Sequence, residues 1–254
     1  MKRSIPILLI GLASCLAPAQ GILFEDQTGL ALEQIHEAYV GLANQRSLRF
    51  KIEVTESQDL LNARRGTIMG SVVFDSPQQR NILRLEVLEY SGHQIEAKKL
   101  LRRIVADGNR FYVYDALANS YSEASYAGEN RNRQFFGLLE KAAGSGPLSL
   151  FSRLVTQVYA GPYPTFRNWI PGSRFQPSGK RENTIFMILP LPNNGERSVM
   201  ISSPLVNVMY TERLGANPAN SPQTTWNLML NWNQGAFGNF EFRAPLNAKD
   251  VSGR

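Results

Sequence analysis

The stretch Val105 to Tyr126, VADGNRFYVYDALANSYSEASY, constrains the fold more than any other. Asp107-Gly108 is a tight-turn dipeptide, and Phe111 to Tyr114 is an aromatic and β-branched run suited to a pleated, half-buried surface. Asp115 breaks that run, and Tyr121, Glu123 and Ser125 predict a second short strand in return. Turn, strand, break and returning strand are the middle of an antiparallel meander. An isolated hairpin cannot cover its own apolar face, so further strands must flank it.

The flanking segments supply them. From Arg46 to Thr55, Leu48, Phe50, Ile52 and Val54 face one way while Arg49, Lys51, Glu53 and Thr55 face the other, the period of a half-buried strand. Gly66 to Phe74 puts Ile68, Gly70, Val72 and Phe74 on one face and closes at Asp75-Ser76-Pro77. Leu83, Leu85 and Val87 alternate next, and Ser91-Gly92 turns the chain back. Gln94 to Val105 contains KKLLRR at 98 to 103, read as an edge strand protected by charge, with a membrane-surface basic patch as the alternative. Glu53, Glu56, Glu86 and Glu89 read as members of solvated strand faces.

Helical spacing appears in three places. Asp26 or Thr28 caps an expected helix to about Gln45, with Leu32, Ile35, Tyr39 and Leu42 in its stripe. Glu129 to Lys141 carries Phe135, Phe136, Leu138 and Leu139; Leu148 to Tyr159 carries Leu150, Phe151, Leu154, Val155 and Val158. Gly144 to Pro147 separates that pair, with Pro147 suited to a helix start. These stripes are wider than short surface helices need, so the pair is expected against a sheet. Strands resume at Thr184 to Leu189, Ser198 to Ser203, Val206 to Arg213, Thr224 to Trp232 and Ala236 to Phe242. Asn193-Asn194-Gly195 marks a hairpin between two of them. Strands joined only by turns pair antiparallel, so the expectation is an α+β domain on one large curved antiparallel sheet.

Residues 1 to 20, MKRSIPILLIGLASCLAPAQ, have the positive start and short apolar run of an export signal. Ala17-Pro18-Ala19 offers cleavage that leaves Gln20 first, whereas Leu12-Ala13-Ser14-Cys15 resembles a bacterial lipobox in which Cys15 is lipidated. The expected organisation is therefore a leader over 1–19, or 1–14 with the lipobox, followed by a single domain to residue 254. The leader carries Lys2 and Arg3, so removing it takes the net charge from +6 to about +4, enough to favour an anionic surface or acidic partner. Cys15 is the only cysteine, which excludes disulfides and thiolate metal clusters.

No catalytic set emerges. The two histidines, His36 and His93, have no evident partners, and no nucleophile elbow or phosphate loop has the required spacing. Arg110-Phe111-Tyr112 mixes base and aromatic, yet lacks an RNA-binding fingerprint, and export argues against nucleic acid. The reading is a non-enzyme with no cofactor and no metal.

In order along the chain, several pieces resemble the bacterial outer-membrane lipoprotein carrier and receptor family, the LolA/LolB-like proteins. They are Ala38-Tyr39 and Leu42 before Leu48-Arg49-Phe50; GTIMGSVVF at 66 to 74 before Ser76-Pro77; Asp107-Gly108 before FYVYD at 111 to 115; and FEFRAPLNAK at 240 to 249. The resemblance implies a half-open β-barrel, lidded by the N-terminal helix and the central helical pair, whose greasy concave face holds acyl chains. Ser76 stands where the carriers commonly have arginine, so that arginine's role is not carried over.

On this reading the lipid-lining residues are Phe50, Ile52, Val72, Phe74, Leu83, Leu85, Phe136, Phe151, Met187 and Leu228. Their simpler reading is ordinary core. Two functions stay open: an envelope protein that carries or receives acyl chains or a lipoprotein at a membrane surface, and an envelope interaction or sensor protein with the cavity filled by its own side chains.

Overall fold

A computed structural model describes residues 47–57, 63–74, 83–92, 99–160, 174–177, 184–202, 207–215, 221–231 and 238–252. They form one large, open sheet and two helices, an α+β arrangement. The first half is a meander of β1 (Ser47–Ser57), β2 (Ala63–Phe74), β3 (Leu83–Ser91), β4 (Lys99–Ala106), β5 (Arg110–Asp115) and β6 (Ser120–Ser125). Helices α1 (Arg131–Ala143) and α2 (Leu148–Ala160) follow. A second meander contains β7 (Arg174–Pro177), β8 (Thr184–Leu191), β9 (Gly195–Ser202), β10 (Asn207–Arg213) and β11 (Gln223–Asn231), and β12 (Lys249–Asp250) is the last strand.

The strand order is β12-β6-β5-β4-β3-β2-β1-β11-β10-β9-β8-β7. β1 is the seam, paired antiparallel with β2 on one side and with β11 on the other. β6 and β7 lie far apart in this order, so the chain that links them has to travel across the sheet. α1 and α2 lie on that link, which is why they end up against a face rather than beyond an edge. Every pairing is antiparallel except β12 with β6, which is parallel.

The register puts the apolar alternation onto one face. Phe50 lies opposite Gly70 and Leu230, Ile52 opposite Ile68 and Leu228, and Val72 opposite Leu85. Val87 faces Ile104, and Ala106 faces Phe111. These residues join Phe135, Phe136, Leu139, Phe151, Leu154 and Val155 of the helices in one buried cluster. Burying each such side chain contributes about 1.5–3 kcal/mol, which outweighs the weak helix preference of their aromatic residues. Phe50 and Phe151 are stacked, centroids 3.7 Å apart, and Phe135 packs edge-on against Phe111, Tyr126 and Phe136. We call this helix-bearing side the inner face.

Local chemistry explains the turns. The Asp107 carboxylate accepts hydrogen bonds from the Asn109 and Arg110 N–H groups, and the Gly108 N–H donates to the buried Tyr126 hydroxyl at 2.6 Å. Gly108 has φ 111°, a conformation open to glycine. Asn193 and Asn194, at φ 58° and 56°, carry the β8–β9 hairpin. Gly144 follows α1 at φ 55° and donates to Glu140 O.

Four expectations need correction. The 98–103 run is not an edge: β4, from Lys99, lies inside the sheet between β3 and β5. Its charge is consumed by β3, since Arg102 pairs with Glu89 and Arg103 with Glu86. Glu86 is accordingly buried rather than part of a solvated face. Residues 238–242 form no strand; they belong to a tail laid over the outer face. That tail turns at Pro245–Ala248 and reaches β6, where the Lys249 N–H donates to Asn119 O and Val251 N–H to Tyr121 O. β7 was not anticipated; with four residues it is too short to show a period.

Candidate functional site

The inner face has two unlike regions. Its middle, around Phe50, Ile52, Val72 and Leu228, is covered by the helices. The sequence-selected residues Phe50, Ile52, Val72, Leu85, Phe136, Phe151 and Leu228 are all brought together there, each no more than 4% exposed. Phe74, Leu83 and Met187 lie on β2, β3 and β8, with their side chains outside the described residues, as are Cys15, His36, His93 and the expected N-terminal helix.

Arg102 fastens the helical layer. Its Nε donates to Glu89 at 2.9 Å and its Nη1 to Ala142 O, in the last turn of α1, at 2.6 Å. A cation suits those end carbonyls, which lack partners within the helix.

The second region lies at the far end of the same face, on β9, β10 and β11. Trp226 stands opposite Val54 and Tyr210, Tyr210 opposite Val199, and Glu212 opposite Arg197. The Trp226 and Tyr210 rings are stacked with centroids 4.6 Å apart. The Tyr210 hydroxyl donates to Glu212 Oε2 at 2.6 Å, and Arg197 Nε donates to the same oxygen at 2.7 Å. Leu189, Tyr210 and Trp226 pack on the core cluster but stay partly exposed. The Trp226 Nε1–H is buried and has no acceptor among the described residues.

The titrations here are coupled to that geometry. Burial, and then the hydrogen bond to Glu212, push Tyr210 up to about 12. Burial also opposes the Glu212 charge, yet hydrogen bonds from Tyr210 and Arg197 outweigh it and hold the carboxyl below its ordinary range. The hydrogen bond to Glu212 raises Arg197 in turn. Glu212 is thus a charged acceptor already serving two donors, which makes it a structural clasp rather than a free acid or base.

Only the β10 part of this group is legible in the sequence. Val208, Tyr210 and Glu212 recur at i, i+2 and i+4, so a carboxylate ends an otherwise apolar stripe. A separate polar cleft of about 430 Å³ lies at the start of α1, lined by Gly128 to Arg133. Among the described residues no cluster of three or more His, Cys, Asp or Glu side chains is placed to hold a metal, and no helix is long and apolar enough to cross a membrane. The chain matches no protein-family model and no curated protein sequence.

Proposed function

We propose that the protein is a non-catalytic cell-envelope protein that binds acyl chains, free or on a lipidated polypeptide, against its inner face. The observation that carries this reading is the contrast within that face. Its middle, from Phe50, Ile52, Val72 and Leu228 to the helices, is buried, whereas Val54, Leu189, Tyr210 and Trp226 leave partly exposed aromatic and aliphatic surface beside it on β1 and β8–β11. An acyl chain needs apolar area rather than special groups, at about 0.8 kcal/mol per buried methylene. The open sheet, read as a half-open barrel, has an acyl chain continue the layer that α1 and α2 begin. The leader and Cys15 fit an exported chain held at a membrane by a lipid anchor, as a receiver rather than a shuttle.

The Phe50–Phe151 stack favours a second reading, in which the cavity is filled by the protein's own side chains and the molecule is an envelope interaction or sensor protein. Titration of delipidated protein with an environment-sensitive naphthylamine dye separates the two. Saturable binding, reversed by a ten-carbon monoacylglycerol, supports the acyl site. No saturable binding supports the filled scaffold.

A further inference from the structure

Resting on that acyl-binding reading, we infer that Arg197 recognises the headgroup, so that the favoured ligand is a chain ending in an anionic oxygen group, a carboxylate or a phosphate. Arg197 stands at the border of the aromatic patch. In register it lies opposite Leu189 on one side and Glu212 on the other. Val199, the next residue on the same face of β9, is buried and lies opposite Tyr210, whose ring is stacked on Trp226. That row is two residues from Arg197, about 7 Å along the strand. A chain lying on Trp226, Tyr210 and Leu189 therefore brings its polar end within reach of Arg197, close to the β8–β9 hairpin.

The guanidinium is fixed in place but only partly used. Its one hydrogen bond among the described residues runs from Nε to Glu212 Oε2, and 38% of the side chain is exposed. Arg102 and Arg103 differ, since each commits Nε and its Nη groups to a carboxylate and to backbone carbonyls. Arg197 keeps its Nη groups open to a ligand, and a planar guanidinium matches the paired oxygens of a carboxylate or phosphate. Glu212 leaves that role intact. Its Oε2 is shared between Arg197 and the Tyr210 hydroxyl, which also borders the guanidinium, so the pair holds Arg197 beside the patch.

The test displaces the naphthylamine dye from full-length delipidated protein with decanoate, decyl phosphate or monodecanoylglycerol. A charge-assisted bond at a partly exposed arginine corresponds to about fivefold in affinity. Arg197→Gln should therefore weaken both anions about fivefold more than it weakens monodecanoylglycerol, and Arg197→Lys should recover part of that difference. A second readout needs no variant: added sodium chloride should weaken the anions relative to monodecanoylglycerol in the parent. At matched ionic strength, inorganic phosphate should not compete with decyl phosphate, because the chain supplies most of the binding. A loss confined to one anion supports the inference and names the head that the site takes. Equal losses for all three lipids in Arg197→Gln, anions indifferent to salt, or competition by inorganic phosphate overturns the inference while acyl binding stands. Absence of displacement by any of the three overturns acyl binding itself.

Discussion

Arg102 and Arg103 are neighbours in β4 and clamp opposite layers onto the same strand. Arg102 reaches the inner face, where it joins Glu89 and the Ala142 carbonyl at the end of α1. Arg103 reaches the outer face, where it forms two hydrogen bonds to Glu86 and contacts the Asn239 and Glu241 carbonyls of the C-terminal tail. The tail is then held by Phe242, stacked on Tyr112 at 4.6 Å and tilted against Tyr121. Strand pleating alone assigns the two arginines to separate tasks.

Their substitutions should therefore separate. Glu86→Gln removes a buried carboxylate that serves both Arg103 and the Asn239 N–H, at a cost of about 1.5–3 kcal/mol. Hydrogen exchange should rise first in residues 238–252. Arg102→Met should leave the tail protected and raise exchange at the end of α1. By contrast, the exposed Lys51–Glu53 pair is worth at most about 0.5–1 kcal/mol, so Lys51→Ala should change the urea midpoint little.

At Gly70 the sheet leaves no room for a side chain beside the Phe50 ring. A Cβ there would lie 2.6 Å from the Phe50 ring and 2.6 Å from the Glu86 carbonyl oxygen. Gly70→Ala should push Phe50 off Phe151 and cost about 1–3 kcal/mol. Phe151→Ala opens a cavity in the same place, at about 3–5 kcal/mol. Chemical denaturation of the two variants checks both values, and an unchanged midpoint in either would mean that the stack is not a main support.

Stability should fall at both ends of the pH range. A tyrosine in the unfolded chain ionises near 10.0, whereas folded Tyr210 keeps its proton to about 12. Between those values the folded state holds a proton that the unfolded state has lost, so raising pH weakens the fold; buried Tyr126 acts in the same direction. Glu212 works oppositely. Its folded value lies below the ordinary 4.5, so its contribution is present above that pH and is lost as pH falls through the folded value. Denaturant midpoints across pH 3 to 12 should show both declines, and Tyr210→Phe should shrink the alkaline one.

The strand pattern was legible because period two records burial on one face only. β1, β2, β3 and β5 follow from Leu48-Phe50-Ile52, Ile68-Gly70-Val72, Leu85-Val87 and the Phe111 run. β4 was legible as a strand but misplaced in the sheet, since the charge of Arg102 and Arg103 reads the same whether a side chain faces water or an acidic partner on β3. The tail misled for a related reason: Phe240 and Phe242 alternate like a strand, yet Phe242 alternates against tyrosine rings rather than pairing its backbone. The buried cluster followed from apolar stripes, whereas the Trp226–Tyr210–Glu212–Arg197 group depends on which strands become neighbours, and a single chain's alternation does not encode that order.

Cys15 offers a separate test of the anchored receiver. Full-length Cys15→Ser should shift from the membrane to the soluble fraction when envelope fractions are separated, because acylation with two or more chains is needed for stable attachment. Equal membrane binding of variant and parent, or a soluble parent starting at Gln20, would remove the anchor from the account.

The most direct measurement is native mass spectrometry of the protein extracted from its own membranes under gentle detergent. Acyl binding predicts a discrete mass increment for retained lipid, lost on organic extraction and restored by monodecanoylglycerol. A protein that carries no such increment, and takes up none when the lipid is supplied, contradicts it.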